Sequence, residues 1–326
     1  MKKNINSNKI TEDLIIHSYL KKLNLNKYGT FNFKNDGAYI KLKQNKKLVL
    51  TTDSISEDID FFKNDEPMSI AKKIMTINLS DLSAMGVMPH SYLLNLFLPK
   101  YIDINWIKKF TSALFKIQKK YNFYLLGGDL STSKKLTISA TFLGHSSDSK
   151  IVSQNSIQLN DDIWITGNIG DSYIGLQILK NNIKVSKSLK NFFLKKYYYP
   201  NNFIFGHNLR NHVNSMKDIS DGLIGDLKKM LDGKYGAKIN LNLIPISLKL
   251  NRVLNTNNLS KNYIMNCGDD YELILISNNK NRIKIKNISK KYNFKITRIG
   301  KVIKNLEIID DSNNLINIPR EFDHFR

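Results

Sequence analysis

Asn78-Leu79-Ser80-Asp81-Leu82-Ser83-Ala84-Met85-Gly86 closes a helical pattern that opens at Ser69 and is stopped by Gly86 and Pro89. Stepping back from Asp81 at about 3.6 residues per turn reaches Ile77 or Asn78 and then Ile74; stepping forward reaches Met85. The spacing predicts Asp81 on the apolar face of its helix. A carboxylate buried there is costly unless it is paired or metal-bound. A helix cap or a satisfied buried hydrogen bond is the plainer alternative.

Working outward, Ile10, Leu14, Ile15, Tyr19 and Leu23 predict a helix over 10–23, with Thr11 as a cap. Short strands follow at 38–43 and 47–52, joined by a Gln44-Asn45 turn. After the helix at 69–85 come a strand at 92–98, a helix at 104–121 and a strand at 123–126 that ends in Gly127-Gly128-Asp129. A further strand covers 136–143. The polar stretch 145–150 marks a boundary, giving domains at 1–147 and 148–326. The second half reads as a strand at 162–166, the turn Gly167-Asn168-Ile169-Gly170, and helices at 173–179 and 184–199. A clear amphipathic helix at 220–231 places Leu223, Ile224, Leu227, Met230 and Leu231 on one face. Strands follow at 238–243, 272–277, 295–299 and 306–309. The Asn- and Lys-rich patches at 251–262 and 278–291 read as solvated loops or helix faces. Helices mixed with antiparallel-looking strands favour an α+β fold over a doubly wound parallel sheet.

The chain of 326 residues carries 50 basic and 28 acidic residues, a net charge of +22, and 41% hydrophobic residues. That length and apolar content support two cored domains and exclude a disordered chain. The charge first suggests a nucleic-acid or anionic-membrane partner. Only six of the basic residues are Arg, however, and Asn is about one residue in eight. Lys, Asn and Ile are residues of A/T-rich codons, so drifted coding composition explains the charge without a partner. Arg is the better residue for bidentate phosphate and base recognition. The lone Cys267 excludes an intrachain disulfide and any multi-Cys metal site, and fits a reducing cytosol. No apolar run reaches membrane-helix length, and no signal-peptide core follows the first Lys residues. The expectation is a cytoplasmic protein with no membrane and no nucleic-acid partner.

The carboxylates stand out by position. Asp53 ends the apolar strand Leu48-Val49-Leu50-Thr51-Thr52-Asp53, and Asp129 follows two glycines that let a ligand approach the backbone. Asp218 and Asp221 flank Ser220 before the amphipathic helix, where Ser220 or Asp221 would by default be an N-cap. Asp269 and Asp270 follow Cys267-Gly268. Hard oxygen ligands of this kind select Mg²⁺, which usually comes with substrate phosphates. No P-loop, no GxGxxG and no paired His spacing is present.

Taken in order, Thr51-Thr52-Asp53, Asn78 to Gly86, Gly127-Gly128-Asp129, Thr166-Gly167 with Gly170-Asp171-Ser172, Asp218 to Leu223, Gly268 to Leu273 and Phe322-Asp323-His324-Phe325 cover the chain end to end. In this ordered set the chain resembles the thiamine-monophosphate kinases, of the aminoimidazole-ribonucleotide-synthetase-like superfamily. The resemblance implies a two-domain α+β fold, with an N-terminal sheet domain pairing in a homodimer and a C-terminal α/β sandwich. It implies phosphoryl transfer from ATP to thiamine monophosphate by direct in-line attack, assisted by Mg²⁺. By the same resemblance Asp36, Thr51, Thr52, Asp53, Asp81, Asp129, Asp218 and Asp221 hold Mg²⁺, with Asp81, Asp129 and Asp221 central to catalysis. Gly128, Asp129, Gln154 and Ser220 contact ATP; Asp60, Asp269 and Phe322 contact the substrate.

Three positions depart from the family pattern. Asn35 stands where the family has a carboxylate, Asp60 where it has a His near substrate, and Gln154 where it has an Arg near ATP. An anion at position 60 repels a phosphate. Rival readings are another ATP-using member of the superfamily, a catalytically weakened homologue or, outside enzymes, a basic nucleic-acid-binding protein.

Overall fold

The chain builds two sheets, one of four strands and one of six, and two central strands of the six-stranded sheet are buried at every residue. The structure is a computed structural model and describes residues 11–33, 38–41, 47–146, 151–153, 156–200, 205–257 and 259–316. The chain divides into two compact units: Met1–Asn78 with Pro89–His145, and Leu79–Met88 with Ser146–Arg326.

In the first unit α1 (Glu12–Ile15) starts at Thr11, whose hydroxyl accepts the Leu14 N–H as predicted. Five π-helical residues and a 3-10 turn continue it to Asn24, so the predicted helix is present but irregular. Residues 38–41 are not in a strand, which removes the first predicted strand from its described part; the Gln44-Asn45 turn lies outside the described residues. Strand β1 (Leu48–Ser56) follows, then α2 (Pro67–Ala84), β2 (Met88–Leu98), α3 (Ile104–Tyr121), β3 (Tyr124–Thr132) and β4 (Thr137–His145). The sheet order is β1-β4-β2-β3, with β1 antiparallel to β4 and β2 parallel to β3.

Helix α3 is started by Asp103, whose carboxylate accepts the Trp106 N–H at 2.7 Å, and it buries Ile107, Phe110 and Leu114. Tyr92 and Phe142 stack at 5.1 Å in the core, with Phe123 edge-on to Tyr92. Each such ring contributes roughly 1.5–3 kcal/mol by leaving water. The Tyr92 hydroxyl donates to the buried Gln118 side chain, which in turn donates to the Leu23 carbonyl. That chain of bonds satisfies the polar groups the core encloses.

In the second unit come β5 (Asp162–Thr166), α4 (Asp171–Leu179), α5 (Lys187–Tyr198), α6 (Gly206–Leu209), β6 (Ser215–Asp218), α7 (Leu223–Leu231) and β7 (Gly236–Ile239). Then α8 (Leu248–Thr256), α9 (Lys261–Met265), β8 (Leu273–Ser277), α10 (Arg282–Lys291), β9 (Ile296–Ile303) and β10 (Ile308–Asp310) complete it. The six-stranded sheet runs β10-β7-β9-β5-β8-β6. Four of its pairings are antiparallel and only β10 with β7 is parallel. Successive residues alternate between its faces, as pleating requires. Ile163, Ile165, Ile274 and Ile276 pack with Leu223, Ile224 and Leu227 of α7. Trp164, Leu273 and Leu275 pack on the other face with Ile285 of α10. The α+β class and the C-terminal sandwich are therefore present. The patch at 278–291 is largely the solvated face of α10, and the predicted strand at 238–243 is shorter because a 3-10 turn takes Leu241–Leu243.

Among the described residues no helix is long and apolar enough to cross a membrane. Asp162 is buried at the start of β5 and is clamped by Arg282 (2.5 and 2.7 Å) and Arg298 (3.0 Å). Burial opposes its charge, but the two guanidinium groups hold its carboxyl below the usual carboxylate range.

Candidate active site

The sequence Asp218 to Gly222 leaves β6 and enters α7 through a tight turn. The predicted helix start at Ser220 is displaced: α7 begins at Leu223, and Gly222, with no side chain to cap it, occupies the cap position. Neither Ser220 nor Asp221 is therefore the N-cap. Gly222 has φ +120°, and a Cβ there would stand 2.6 Å from the Asn266 carbonyl carbon, so only glycine fits. The turn's amides are instead collected by Asp226. One oxygen of its carboxylate accepts the N–H groups of Ser220, Asp221 and Gly222 at 3.0, 2.9 and 3.2 Å. Asp226 was not among the predicted residues. An acid within the first turn of a helix that has no capping side chain is the signal that points to it.

On its other side the turn is bonded to the 268–272 loop. Asp269 N–H donates to the Ser220 carbonyl and Tyr271 N–H to the Ile219 carbonyl, both at 3.0 Å. Asp269 and Tyr271 both adopt left-handed backbone, at φ +66° and +51°. Such strain in non-glycine residues persists where surrounding bonds over-determine it. The Tyr271 hydroxyl donates to the Asp269 carboxylate at 2.7 Å. Below this loop Asp270 accepts the Gly170 N–H on both oxygens (3.0 and 2.8 Å), and Glu272 accepts the Thr166 hydroxyl at 2.6 Å. Burial pushes Glu272 up to about 7 and Asp270 well above its ordinary value.

Asp81 belongs to this second unit, near the C-terminal end of α2. It is half-buried, not buried as its apolar neighbours suggest, and shares the less buried stripe of α2 with Lys73 and Ile77. The helix is buried nearly all round, with Thr76, Asn78, Ser80 and Ser83 among its buried residues, so apolar spacing did not identify its inner side. Burial, followed by the charge of Asp81, pushes the Asp218 carboxyl up to about 7; Lys217 opposes the shift. The Lys217 ammonium lies 3.8 Å from Asp218 and 3.4 Å from Asp226, and Lys229 pairs with Asp221 at 2.5 Å. The structure thus brings Asp81, Asp218, Ser220, Asp221 and Asp269 together.

In the first unit Thr51, Thr52 and Asp53 lie within β1, which runs on past Asp53 to Ser56; the predicted strand end is corrected. Gly127-Gly128-Asp129 likewise lies inside β3, just after a bulge between Tyr92 and Leu93 in its pairing with β2. Gly128 is required there, since a Cβ would stand 1.8 Å from the Leu94 carbonyl oxygen. A cavity of about 460 Å³ opens on this segment, lined by Asn95, Gly128, Asp129 and Thr141 among others. The Thr141 hydroxyl shares a 3.0 Å hydrogen bond with Thr52. β1 and β3 are the outer strands of the sheet. At about 4.8 Å per strand they stand roughly 14 Å apart, so Asp53 and Asp129 of one chain do not share an ion. Asp60 turns back on its own chain: its carboxylate accepts the Ser56 N–H at 2.7 Å, and Lys73 donates to its carbonyl at 2.8 Å. Asp36, Gln154 and Phe322 lie outside the described residues.

Among the described residues no three His, Cys, Asp or Glu side chains are gathered closely enough to hold a metal ion by themselves. The donor set nonetheless fits Mg²⁺ in its chemistry. Every donor is a hard oxygen, and Asp81 and Asp218 repel each other in a way a cation removes. Mg²⁺ keeps several waters and binds through one or two carboxylates plus substrate phosphates, which suits a set that does not close a cage.

The chain matches the family models of the AIR synthase related proteins, the N-terminal domain over residues 34–146 and the C-terminal domain over 160–311. It is 36% identical to a thiamine-monophosphate kinase of Buchnera aphidicola (subsp. Acyrthosiphon pisum), over 97% of this chain and 99% of that protein. It is 32% identical to a thiamine-monophosphate kinase of Escherichia coli K12, over 73% of this chain and 74% of that one. Among solved structures, the thiamine-monophosphate kinase of Stenotrophomonas maltophilia superposes with a TM-score of 0.79 at 26% identity, covering 85% of this chain and 89% of that one. AaThiL, complexed with AMPPCP and TMP, shares the fold at a TM-score of 0.78 and 24% identity, over 89% and 91% of the two chains. The chain belongs to the AIR synthase related family and, within it, to the thiamine-monophosphate kinases.

Proposed function

We propose that the chain transfers the γ-phosphate of ATP to the phosphate of thiamine monophosphate, giving thiamine diphosphate and ADP. It does so as a cytoplasmic homodimer, with no nucleic-acid partner. Family membership names the reaction. The observation here that carries it is the pairing of Asp81 with the buried Asp218, which burial first and the Asp81 charge second raise to about 7, beside the Ser220-Asp221 turn. Carboxylates held together against their repulsion suit a divalent cation and a phosphate substrate better than a structural role.

Asp81, Asp218 and Asp221 hold Mg²⁺ in this reading, and Thr51, Thr52, Asp53 and Asp129 hold further ions, with Asp36 as another ligand. The ions supply neutralisation and alignment of the phosphate oxygens. The chain's own residues do the rest. Gly128 lets the nucleotide approach the β3 backbone at the cavity beside Asp129, with Ser220 and Gln154 as further ATP contacts. Asp269 and Phe322 hold the thiamine portion. Asp60 lies near the substrate phosphate with its carboxylate engaged by Ser56, and Lys73 at its carbonyl offsets its charge. The acceptor phosphate is a monoester already largely ionised at neutral pH, so no strong general base is needed. The N-terminal domain takes ATP, Mg²⁺ and dimer contacts; the C-terminal domain completes the nucleotide and substrate sites.

The test is an ADP-release assay across candidate phosphate acceptors, with and without Mg²⁺, and with identification of the product. Thiamine diphosphate formed only with thiamine monophosphate, ATP and Mg²⁺ is the expected result. No product at high enzyme and substrate sinks the reading.

A further inference from the structure

The amides of Ser220, Asp221 and Gly222 stand just ahead of a helix whose cap position carries no side chain. Unpaired, they would need water or a ligand. All three instead converge on one oxygen of Asp226, at 2.9 to 3.2 Å. The Asp226 side chain is fully buried, and its other oxygen faces the Lys217 ammonium at 3.4 Å. Its backbone is fixed by α7, whose Leu223, Ile224 and Leu227 are embedded in the core. The carbonyls of Ile219 and Ser220 are taken from the opposite side by Tyr271 and Asp269. The 219–220 and 220–221 peptide planes are thus held from two directions, by amides on a carboxylate and by carbonyls on a second loop, and the 221–222 plane by its amide. Peptide orientation decides where the Ser220 and Asp221 side chains point.

We propose that Asp226 is a positioning residue for phosphoryl transfer: its buried carboxylate fixes the backbone that presents Ser220 and Asp221. The inference rests on the reading above for what those two side chains do, but not for how they are held. A charged acceptor shared by three donors is stronger than a neutral one. An amide at 226 retains one acceptor, loses the charge, and turns either its oxygen or its NH₂ toward the turn.

The test compares wild type, Asp226→Asn and Leu227→Ala, the last a neighbouring core truncation that loosens α7 without removing any of the turn's hydrogen-bonding groups. Hydrogen exchange is followed at the three amides, and the Mg²⁺ dependence of ADP release is measured in parallel. In wild type the amides of 220–222 are expected to be protected although they lie outside any helix or strand. In Asp226→Asn they are expected to exchange about tenfold faster or more, in line with the loss of charged hydrogen bonds. The Mg²⁺ concentration for half-maximal turnover is expected to rise about tenfold in Asp226→Asn and to stay unchanged in Leu227→Ala. Unprotected amides in wild type overturn the proposal without any variant. Exchange unchanged in Asp226→Asn also overturns it, as does an equal rise in Mg²⁺ requirement in Leu227→Ala. If wild type makes no thiamine diphosphate, the functional reading fails while the exchange comparison still decides this one.

Discussion

Asp81 and Asp218 are coupled by charge, and each carries a test of its own. Replacing Asp81 with Asn keeps size and shape but removes the charge. Activity is expected to fall by about 100-fold or more, given the several kcal/mol that metal neutralisation supplies, with an unchanged far-UV spectrum and a melting temperature no lower than that of wild type; retained activity removes Asp81 from the metal set. Asp218 gives a pH signature. Its folded-state value, about 7, lies above the unfolded 3.8, so between these limits the native state binds more protons than the unfolded one. Stability at this group therefore falls as pH rises through that window, and is lowest above 7. Metal-free Asp218→Asn is expected to exceed wild type in stability at pH 8 by on the order of 1–3 kcal/mol, and saturating Mg²⁺ to narrow the gap. Urea unfolding at pH 5 and pH 8 checks both. Asp218 was picked out as a carboxylate that flanks Ser220 just before a helix; Asp81 was picked out by apolar spacing, which its half-buried place on α2 corrects. Asp226 was not, because its role depends on three backbone amides that the residue letters do not display.

At the scale of elements, long periodic segments were read well. Helix α3 coincides with its predicted span, and β5 with its own, because caps and apolar spacing act locally. Strand ends were read less well. Gly127-Gly128 and Asp53 look like breaks, yet pairing with β2 and β4 carries both strands past them. That pairing is non-local and leaves no mark in the neighbouring residues. Strand β5 also carries a test of its own. Its first residue, Asp162, is buried and has a lowered value, so it stabilises the fold above the ordinary carboxylate range, and that contribution is lost as acid brings pH down through the folded value. Removing both partners, as Arg282→Met with Arg298→Met, strands a buried carboxylate and is expected to cost about 3 kcal/mol. Either single change is expected to cost about 1 kcal/mol, since the other guanidinium remains. Chemical denaturation of the three variants measures the difference; additive single effects refute a shared clamp.

For the whole molecule, the chain carries a net charge of +22, while its candidate site is built from negative side chains. A field of that sign draws in anionic ATP and thiamine monophosphate and weakens as salt screens it. The kcat/KM for ATP is expected to fall several-fold between about 0.02 and 0.3 M monovalent salt, with kcat little changed. Filter binding to random DNA and RNA over the same range tests the competing use of that charge; tight, steeply salt-dependent binding supports it. The two-unit division follows from two independent cores, and the assignment of residues 79–88 to the second unit leaves no mark in the sequence, since chain continuity hides it. The left-handed backbone at Asp269 carries a consequence for how this chain can decay. Asn tolerates that conformation nearly as well as Asp does, and Asn is abundant in a chain of this A/T-leaning composition. A drift from Asp to Asn at 269 would cross no steric barrier and leave a fold with an ordinary melting curve. On the role proposed above for Asp269 in holding the substrate, natural relatives that lose the reaction this way would pass every test of foldedness, and only an assay with substrate would tell them from the working enzyme.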